Sequence, residues 1–228
     1  KNINFNEDIK LKNIFFSYKK KIIFKDLNFE IKKNSIIGIQ GISGIGKSTF
    51  VDLLCGLNKP NEGEVLIDGV NISGSENSWM KNIGYVQQNF YIFDNSLKKN
   101  ITLENEDSNI DQHLLEKAIN SSLLTSFVSS LPNGVDESLG ELGTKLSGGQ
   151  KQRICIARAL YRNPKLLIFD ESFNNLEEST VDKILEIIFN LKKNITIIII
   201  SHNKKSFKYC DKIYNIDNYN IKEIDEKI

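Results

Sequence analysis

Cysteine is scarce in this 228-residue chain, which has only Cys55, Cys155 and Cys210. The three are far apart, odd in number and form no C-x-x-C pair. This arrangement argues against a disulfide framework or a zinc site, and it fits a reducing cytosol. Long apolar runs are also missing. The most apolar stretch, residues 195–200, is far shorter than the roughly 20 residues that a membrane-spanning helix needs.

An excess of charge of one sign is lacking as well, because 30 basic residues face 29 acidic ones and the net charge is +1. A nucleic-acid-binding domain would show a clustered basic face, so we expect no nucleic-acid partner. The lysine run at 19–21 is expected to be solvated surface. The chain begins at Lys1 rather than methionine, and we therefore expect it to be a portion of a longer protein.

Arginine is the third scarce residue type, and its distribution is informative. Arg153, Arg158 and Arg162 are the only arginines, and all of them follow the segment at 146–150. Lysine is the cation elsewhere. The clustering indicates that the planar, multi-donor guanidinium group is needed in this part of the chain.

A glycine-rich segment at 41–49 fits the phosphate-binding pattern G-x-x-x-x-G-K-[ST], in which backbone N–H groups surround phosphate oxygens. A chance glycine turn is the alternative, so the structural context decides. The sequence predicts a strand at 35–40 and a helix at 49–57, which is the required context. Lys47 would then reach the β- and γ-phosphates, and the Ser48 hydroxyl would ligate Mg²⁺. The predicted nucleotide-binding residues of this loop are Gly41, Ser43, Gly44, Gly46, Lys47, Ser48 and Thr49.

Two apolar runs, at 166–169 and 195–200, predict strands buried on both faces of a parallel sheet. Asp170 and Glu171 follow the first run, at the edge where open α/β sheets hold their ligands. Taken alone, two acids after a strand more often start a helix, but the preceding glycine loop favours a functional site. His202 follows the second run, whereas the other histidine, His113, is expected at the surface.

The segment at 146–150 has two compatible interpretations. Ser147 and Gln150 form the S-x-x-Q pattern of a capping box, which starts a helix. Gly148 and Gly149 would leave backbone N–H groups open to a phosphate at the positive end of that helix.

In their order and spacing, these segments resemble the nucleotide-binding domain of an ABC transporter over about residues 9–217. The resemblance implies an α/β fold. Its P-loop NTPase (RecA-like) core has a parallel sheet, an N-terminal antiparallel β subdomain and an inserted helical subdomain. We expect one domain over 1–228, with the β-rich and RecA-like core at about 1–87 and 160–228 and the helical subdomain at about 88–159.

The resemblance also assigns catalytic and metal-binding roles, with ATP and Mg²⁺ as the nucleotide and the ion. Asp170 would hold the magnesium shell, and Glu171 would orient and polarise the attacking water. His202 would contact the γ-phosphate. Tyr18 would stack on adenine, which makes ATP over GTP a preference. Gln88, rather than Gln87, would touch Mg²⁺ and link the site to a membrane domain.

The remaining roles concern partners. Ser147, Gly148, Gly149 and Gln150 would bind the γ-phosphate held by a second copy of the domain, so that two ATP molecules are enclosed in a head-to-tail dimer. The segment at 139–143 looks like a G-E-x-G motif of exporters, in which Glu141 would meet the transmembrane partner. These features predict the ATPase domain of an exporter or flippase, at the cytoplasmic face of the inner membrane.

An importer subunit is the nearest alternative, followed by a non-transport ABC ATPase of DNA repair or translation. The intact catalytic residues disfavour a pure binding module. Gln87 stands where the family usually has proline, so we expect a more flexible loop there. The apolar stretch 90–93 fits either core or a docking groove. The segment 172–177 replaces the usual A-T-S-A-L-D with S-F-N-N-L-E, which predicts altered coupling between the two sites.

Overall fold

The computed structural model describes residues 2–89, 91–173 and 176–224, and a four-stranded antiparallel sheet occupies the N-terminal part. Its spatial order is β2-β1-β4-β5. We call it sheet A. Its strands are β1 (Asp8–Tyr18), β2 (Lys21–Lys32), β4 (Glu62–Ile67) and β5 (Val70–Asn71).

A second sheet, sheet B, has six strands in the order β10-β9-β3-β8-β7-β6. All neighbouring strands are parallel except the antiparallel pair of β10 and β9. The β7 and β8 strands are buried along their whole length, as their apolar runs predict. The strands are β3 (Ile36–Gln40), β6 (Ile83–Val86), β7 (Leu166–Asp170), β8 (Thr196–Ile200), β9 (Lys212–Asp217) and β10 (Asn220–Ile224).

Helices connect these strands and fill the interval between β6 and β7. Short 3-10 turns lie at Asp107–Asn109, Gly134–Asp136, Glu141–Gly143 and Lys204–Phe207. The α-helices are α1 (Lys47–Cys55), α2 (Glu76–Met80), α3 (Leu97–Thr102), α4 (Gln112–Ser121), α5 (Thr125–Ser130), α6 (Gly148–Tyr161) and α7 (Glu178–Leu191). None of the described helices is both long enough and apolar enough to span a membrane.

Sheet B separates two hydrophobic cores because alternate residues of a strand point to opposite faces. On β7, Ile168 belongs to the core that includes Phe50 of α1 and the inner side of sheet A. The next residue, Phe169, belongs to the core shared with Ile154 of α6 and Ile184 of α7. The largely parallel sheet B, the antiparallel sheet A and the helices between β6 and β7 agree with the predicted architecture. The division of the chain near residues 87 and 160 stays a prediction.

The bounds of several elements differ from those that the sequence predicts. The predicted strands at 22–24 and 27–31 form one continuous strand, β2, with Asp26 in the left-handed region at φ 50°. The chain continues to pair with β1 across this irregularity. The polar residues Lys25 and Asp26 therefore do not end the strand. The strands β9 and β10 are not anticipated by the apolar pattern.

Candidate active site

The segment between β3 and α1 forms a loop that depends on glycine. Gly44 and Gly46 have φ of 75° and 122°, a region that other residues rarely adopt. A Cβ atom at Gly46 would lie 2.6 Å from Cγ2 of Ile23, so no side chain fits there. The first turn of α1 has no acidic residue and no side-chain cap. Its N–H groups and positive dipole end are therefore suited to a phosphate.

Lys47 is the first residue of α1 and is only 7% exposed. Its Nζ donates hydrogen bonds to the backbone oxygens of Gly41, at 2.8 Å, and Ile42, at 3.3 Å. The same Nζ lies 3.5 Å from Oε1 of Glu171 and 3.1 Å from Nε2 of His202. One cation of the glycine loop thus meets side chains from the ends of two other strands.

Glu171 and His202 emerge from the same edge of sheet B. Asp170 at the end of β7 pairs with Ile200 at the end of β8, so the residues that follow lie close together. Oε1 of Glu171 is 2.9 Å from Nε2 of His202. Glu171 has φ of 49°, which is unfavourable for a side chain of this type. Its N–H donates to the carbonyl oxygen of Ile200 at 2.9 Å, so the neighbouring strand holds this conformation.

Asp170, the residue before Glu171, is a buried carboxylate with 9% exposure. The hydroxyl of Tyr85 on β6 donates to its Oδ2 at 2.8 Å. Burial raises the pKa of Asp170 above its ordinary value, and the negative charge of Glu171 adds to the effect. The Tyr85 hydrogen bond and the charge of Lys47 oppose it.

Lys47, Glu171 and His202 line one cleft of about 370 Å³, whereas Asp170 is not among its lining residues. Tyr18 stands at its rim with 47% exposure. Its hydroxyl accepts a hydrogen bond from Asn58 at 2.9 Å. The residues that line the cleft are Tyr18, Lys21, Ile23, Ser43, Gly44, Gly46, Lys47, Ser48, Thr49, Gln88, Glu171 and His202.

The cleft includes most of the predicted nucleotide residues and two that the sequence does not predict. Lys21 and Ile23 line it, although the lysine run at 19–21 is expected to be solvated. Lys21 pairs with Tyr18 across the β1–β2 hairpin. Because Tyr18 is predicted to stack on adenine, this pairing is the signal from which Lys21 could have been predicted as a cleft residue. Of the two adjacent glutamines, Gln88 lines the cleft, and its contact with Mg²⁺ stays a prediction.

The predicted capping box is present at the start of α6. The N–H of Ser147 donates to Oε1 of Gln150 at 2.8 Å, and the N–H of Gln150 donates to Oγ of Ser147 at 3.2 Å. The first turn has no acidic residue, and Ser147 and Gly148 are exposed. None of the four predicted signature residues lines the described cleft of its own chain. The positive end of α6 is therefore presented elsewhere on the surface.

Arg153 and Arg158 bind backbone oxygens, which accounts for two of the three arginines in this part of the chain. Arg153 donates to the carbonyl oxygen of Leu123 at 2.6 Å. Arg158 donates to Asn100 O at 2.8 Å and to Tyr91 O at 3.0 Å. Several donors in one plane can serve two carbonyls at once, which an ammonium group does less well. Arg162 is exposed at the end of α6.

The apolar stretch at 90–93 has a mixed environment; Phe90 lies outside the described residues. Ile92 is buried in the core. Tyr91 and Phe93 are 55% and 45% exposed, and their rings pack edge to face with centroids 5.0 Å apart. The guanidinium of Arg158 lies 5.4 Å from the centroid of the Phe93 ring, where it can make a cation–π contact.

The segment that departs from the family pattern is described in part. Asn174 and Asn175 lie outside the described residues. Ser172 and Phe173 are buried, and the Phe173 ring stacks on Phe169 with centroids 5.2 Å apart. Glu177 precedes the first turn of α7 as its N-cap residue. Its acidity is favourable there because a carboxylate stabilises a helix N-terminus.

The cleft supplies oxygen donors that suit a divalent cation. Ser48 and Gln88 line it. Asp170 does not line it but directly precedes the lining residue Glu171, and its Oδ1 makes no hydrogen bond among the described residues. Mg²⁺ takes hydroxyl, amide and carboxylate oxygens, usually with water and substrate phosphates. Within the described ranges, no three His, Cys, Asp or Glu residues come together as a metal cage. The protein donors therefore fit Mg²⁺ held jointly with phosphates.

Comparison with known proteins decides the family. The family model described as ABC transporter matches residues 24–174. This chain belongs to the ABC transporter family. The predictions of an ABC ATPase domain and of its P-loop fold are confirmed by this match and by the structural similarity described below.

The chain is similar to parts of longer ABC proteins whose names describe ATP binding together with translocation or a permease. The alpha-hemolysin translocation ATP-binding protein HlyB of Escherichia coli is 38% identical over 214 residues, which cover 91% of this chain and 30% of the relative. A probable ABC transporter ATP-binding/permease protein of Haemophilus influenzae is 35% identical over 211 residues, covering 92% of this chain and 38% of the relative. The chain thus spans well under half of each of these relatives. One of these names describes translocation of alpha-hemolysin, and the other describes an ATP-binding/permease protein.

A solved structure is also similar to this chain. The structure of a bacterial Atm1-family ABC exporter with ATP bound superposes with a TM-score of 0.89 and 32% sequence identity. The match covers 97% of this chain and 39% of the exporter chain.

Proposed function

We propose that this ABC domain binds ATP with Mg²⁺ in the cleft, hydrolyses the terminal phosphate, and thereby powers export by a membrane-spanning partner. One observation carries the proposal: Lys47, Glu171 and His202 converge at the glycine loop, with Nζ of Lys47 3.5 Å from Glu171 and 3.1 Å from His202. A cation at a phosphate-binding loop, with a carboxylate beside it that can position water, supplies groups used in phosphoryl transfer, and the imidazole adds a polar contact for the terminal phosphate.

The glycine loop and Tyr18 bind the nucleotide. Backbone N–H groups of the loop and the dipole of α1 hold the phosphates, and Lys47 exchanges its contacts with the carbonyls of Gly41 and Ile42 for phosphate oxygens. The half-exposed ring of Tyr18 stacks on the base. Lys21 stands opposite Tyr18 and supplies a further positive charge beside the nucleotide.

Glu171 and His202 act on the terminal phosphate. Glu171 accepts a hydrogen bond from the attacking water and orients it, and His202 contacts the γ-phosphate. Ser48, Gln88 and Asp170 hold Mg²⁺, which supplies charge neutralisation for the phosphates when it is bound. Lys47 stabilises the negative charge that develops on the transferred group.

A second copy of the domain completes each site. Ser147, Gly148, Gly149 and Gln150 lie at the capped start of α6, away from the cleft of their own chain. An exposed helix N-terminus without acidic residues favours an anion, and a partner's γ-phosphate is the anion that a head-to-tail dimer delivers. Two bound ATP molecules would then hold the copies together.

The membrane-spanning partner contacts the helical part of the domain through the Gln88 loop and Glu141. Glu141 is exposed in a short turn, next to the exposed Leu142. Tyr91 and Phe93 add an exposed aromatic pair near the Gln88 loop. The Haemophilus relative is described as an ATP-binding/permease protein, which supports a membrane domain in the same assembly, with this domain at the cytoplasmic face of the inner membrane.

Release of phosphate from ATP by the purified chain tests the proposal. Lys47→Ala should abolish hydrolysis and weaken nucleotide binding, because it removes the charge that meets the β- and γ-phosphates. Lys117→Ala is the matched control, since Lys117 is an exposed lysine on α4. Unchanged hydrolysis by Lys47→Ala would show that the glycine loop is not the phosphate site.

A further inference from the structure

Tyr85 and Asp170 occupy positions on neighbouring strands that bring their side chains to the same face of sheet B. Tyr85 on β6 is in register with Ile168 on β7. Asp170 follows Ile168 by two residues, and side chains two residues apart on a strand share a face. The phenol hydroxyl therefore reaches the carboxylate, and it donates to Oδ2 at 2.8 Å.

The surroundings fix the phenol in this place. Tyr85 is partly buried and packs against the core that contains Ile168 and Phe50. Within the described residues, the Tyr85 hydroxyl is the one group that donates a hydrogen bond to the Asp170 side chain. Oδ1 of Asp170 accepts none. The hydrogen bond thus distinguishes the two carboxylate oxygens: Oδ2 accepts from Tyr85, and Oδ1 accepts no hydrogen bond within the described residues.

We propose that Tyr85 is a positioning residue for the divalent cation. Its hydroxyl holds the Asp170 carboxylate in an orientation that leaves Oδ1 available as a ligand of the ion. The inference rests on the proposed function, in which Asp170 holds Mg²⁺. Carboxylates that bind metals are commonly oriented by a hydrogen bond from a second residue, and losing that residue costs about 10- to 100-fold in metal affinity.

The chemistry of phenol explains why tyrosine fits this role. Asp170 already lies near the negative charges of Glu171 and Asp52. A lysine or arginine at position 85 would pair with Asp170 and cancel the charge that attracts the cation. A neutral hydroxyl donates one directional hydrogen bond and leaves the negative charge in place. Phenylalanine at this position keeps the ring and its packing but has no donor.

Nucleotide binding with and without Mg²⁺ tests the proposal without requiring turnover. The affinity for a fluorescent, non-hydrolysable ATP analogue is measured in excess Mg²⁺ and in EDTA, and the ratio of the two affinities reports the coupling between the ion and the nucleotide. For Tyr85→Phe we expect an unchanged affinity in EDTA and a ratio that falls by about tenfold or is lost altogether. Tyr214→Phe, on β9 of the same sheet, is the matched control and should keep the wild-type ratio.

The outcomes separate this inference from the proposed function. Asp170→Asn should also lose the Mg²⁺-dependent gain in affinity; if it keeps the gain, the metal role of Asp170 in the proposed function is wrong. If Asp170→Asn loses the gain while Tyr85→Phe keeps it, the role of Tyr85 alone is overturned. Equal losses of affinity in EDTA and in Mg²⁺ for Tyr85→Phe would also overturn it, because they would indicate a purely structural effect.

Discussion

Nε2 of His202 lies 2.9 Å from Oε1 of Glu171, although the two residues follow different strands of sheet B. The parallel pairing of β7 with β8 produces this contact, because both strands end at the same edge. Lys47 approaches both groups from the glycine loop. The carboxylate that should orient water is therefore linked directly to the imidazole that should sense the γ-phosphate.

Replacing His202 with alanine should slow ATP hydrolysis by about 100-fold, the usual cost of removing one donor that stabilises a transition state. ATP should still bind, because Lys47 and the glycine loop are unchanged. His113→Ala is the control, since His113 is exposed on α4. Phosphate release and nucleotide binding are measured for both variants. Equal hydrolysis rates in the two would remove His202 from the catalytic group.

Gly149→Asp should leave a folded chain that binds ATP and hydrolyses it very poorly. The new carboxylate would lie in the first turn of α6 and repel the γ-phosphate held by a second copy. A mixture of Gly149→Asp with Lys47→Ala should recover part of the activity, because one site of a mixed dimer combines an intact glycine loop with an intact signature. Phosphate release by the mixture, compared with each variant alone, is the measurement. No recovery at any mixing ratio would contradict the action of the signature on a partner's nucleotide.

Arg158→Lys should lower the free energy of unfolding by about 2 kcal/mol, the order expected when hydrogen bonds from a charged group are lost. The guanidinium serves the carbonyls of Asn100 and Tyr91 together, and an ammonium group cannot match that geometry. Arg162→Lys is the matched control because Arg162 is exposed at the end of the same helix. Urea unfolding of both variants checks the prediction, and similar midpoints would contradict it.

The thiols of Cys55 and Cys210 should react slowly with Ellman's reagent in the folded protein. Burial raises the pKa of each to about 12, with added effects of Asp52 on Cys55 and Asp211 on Cys210. The thiolate is the reactive form, so raising the pH from 7 to 9 should ionise little of either thiol in the folded chain. The same rise in pH should strongly accelerate labelling of the chain unfolded in guanidinium, where the thiols have their ordinary pKa. Rapid labelling of the folded chain at pH 8 would contradict the prediction.

Local sequence patterns predict much of this site. The glycine loop, the capping box and the buried strands β7 and β8 depend on short segments whose residue types nearly determine their conformation. The strands β9 and β10 escape prediction because asparagine and aspartate at 215, 217, 218 and 220 interrupt the apolar pattern and favour turns. Pairing with β3 supplies the order that local propensity does not.

Contacts between distant segments are harder to predict. Tyr85 meets Asp170 only because β7 lies beside β6 across a long helical insertion, and no local pattern encodes that neighbour relationship. Lys21 is similar, since a lysine run is usually solvated and only the β1–β2 hairpin brings it to the cleft. The sequence identifies residues whose side chains can bind or catalyse, and the strand order determines which of them lie in contact.

Glu171→Gln should make the ATP-bound dimer persist. In the proposed cycle, each ATP is held by Lys47 of one copy and by Ser147 and Gly149 of the other, so ATP favours the closed pair by its differential affinity for that state. Hydrolysis removes this stabilisation. Glutamine keeps the shape of the glutamate side chain but cannot accept a proton from water, so closure should outlast a chromatography run. Size-exclusion chromatography with ATP and Mg²⁺ should give a dimer for the variant, and the same run with ADP should give monomers. A dimer that forms equally with ADP, or that is absent with ATP at high protein concentration, would contradict the closed-pair mechanism.

A short-lived dimer would instead implicate the divergent segment at 172–177. Restoring Ser, Ala and Asp at positions 174, 175 and 177 should then lengthen the lifetime of the dimer.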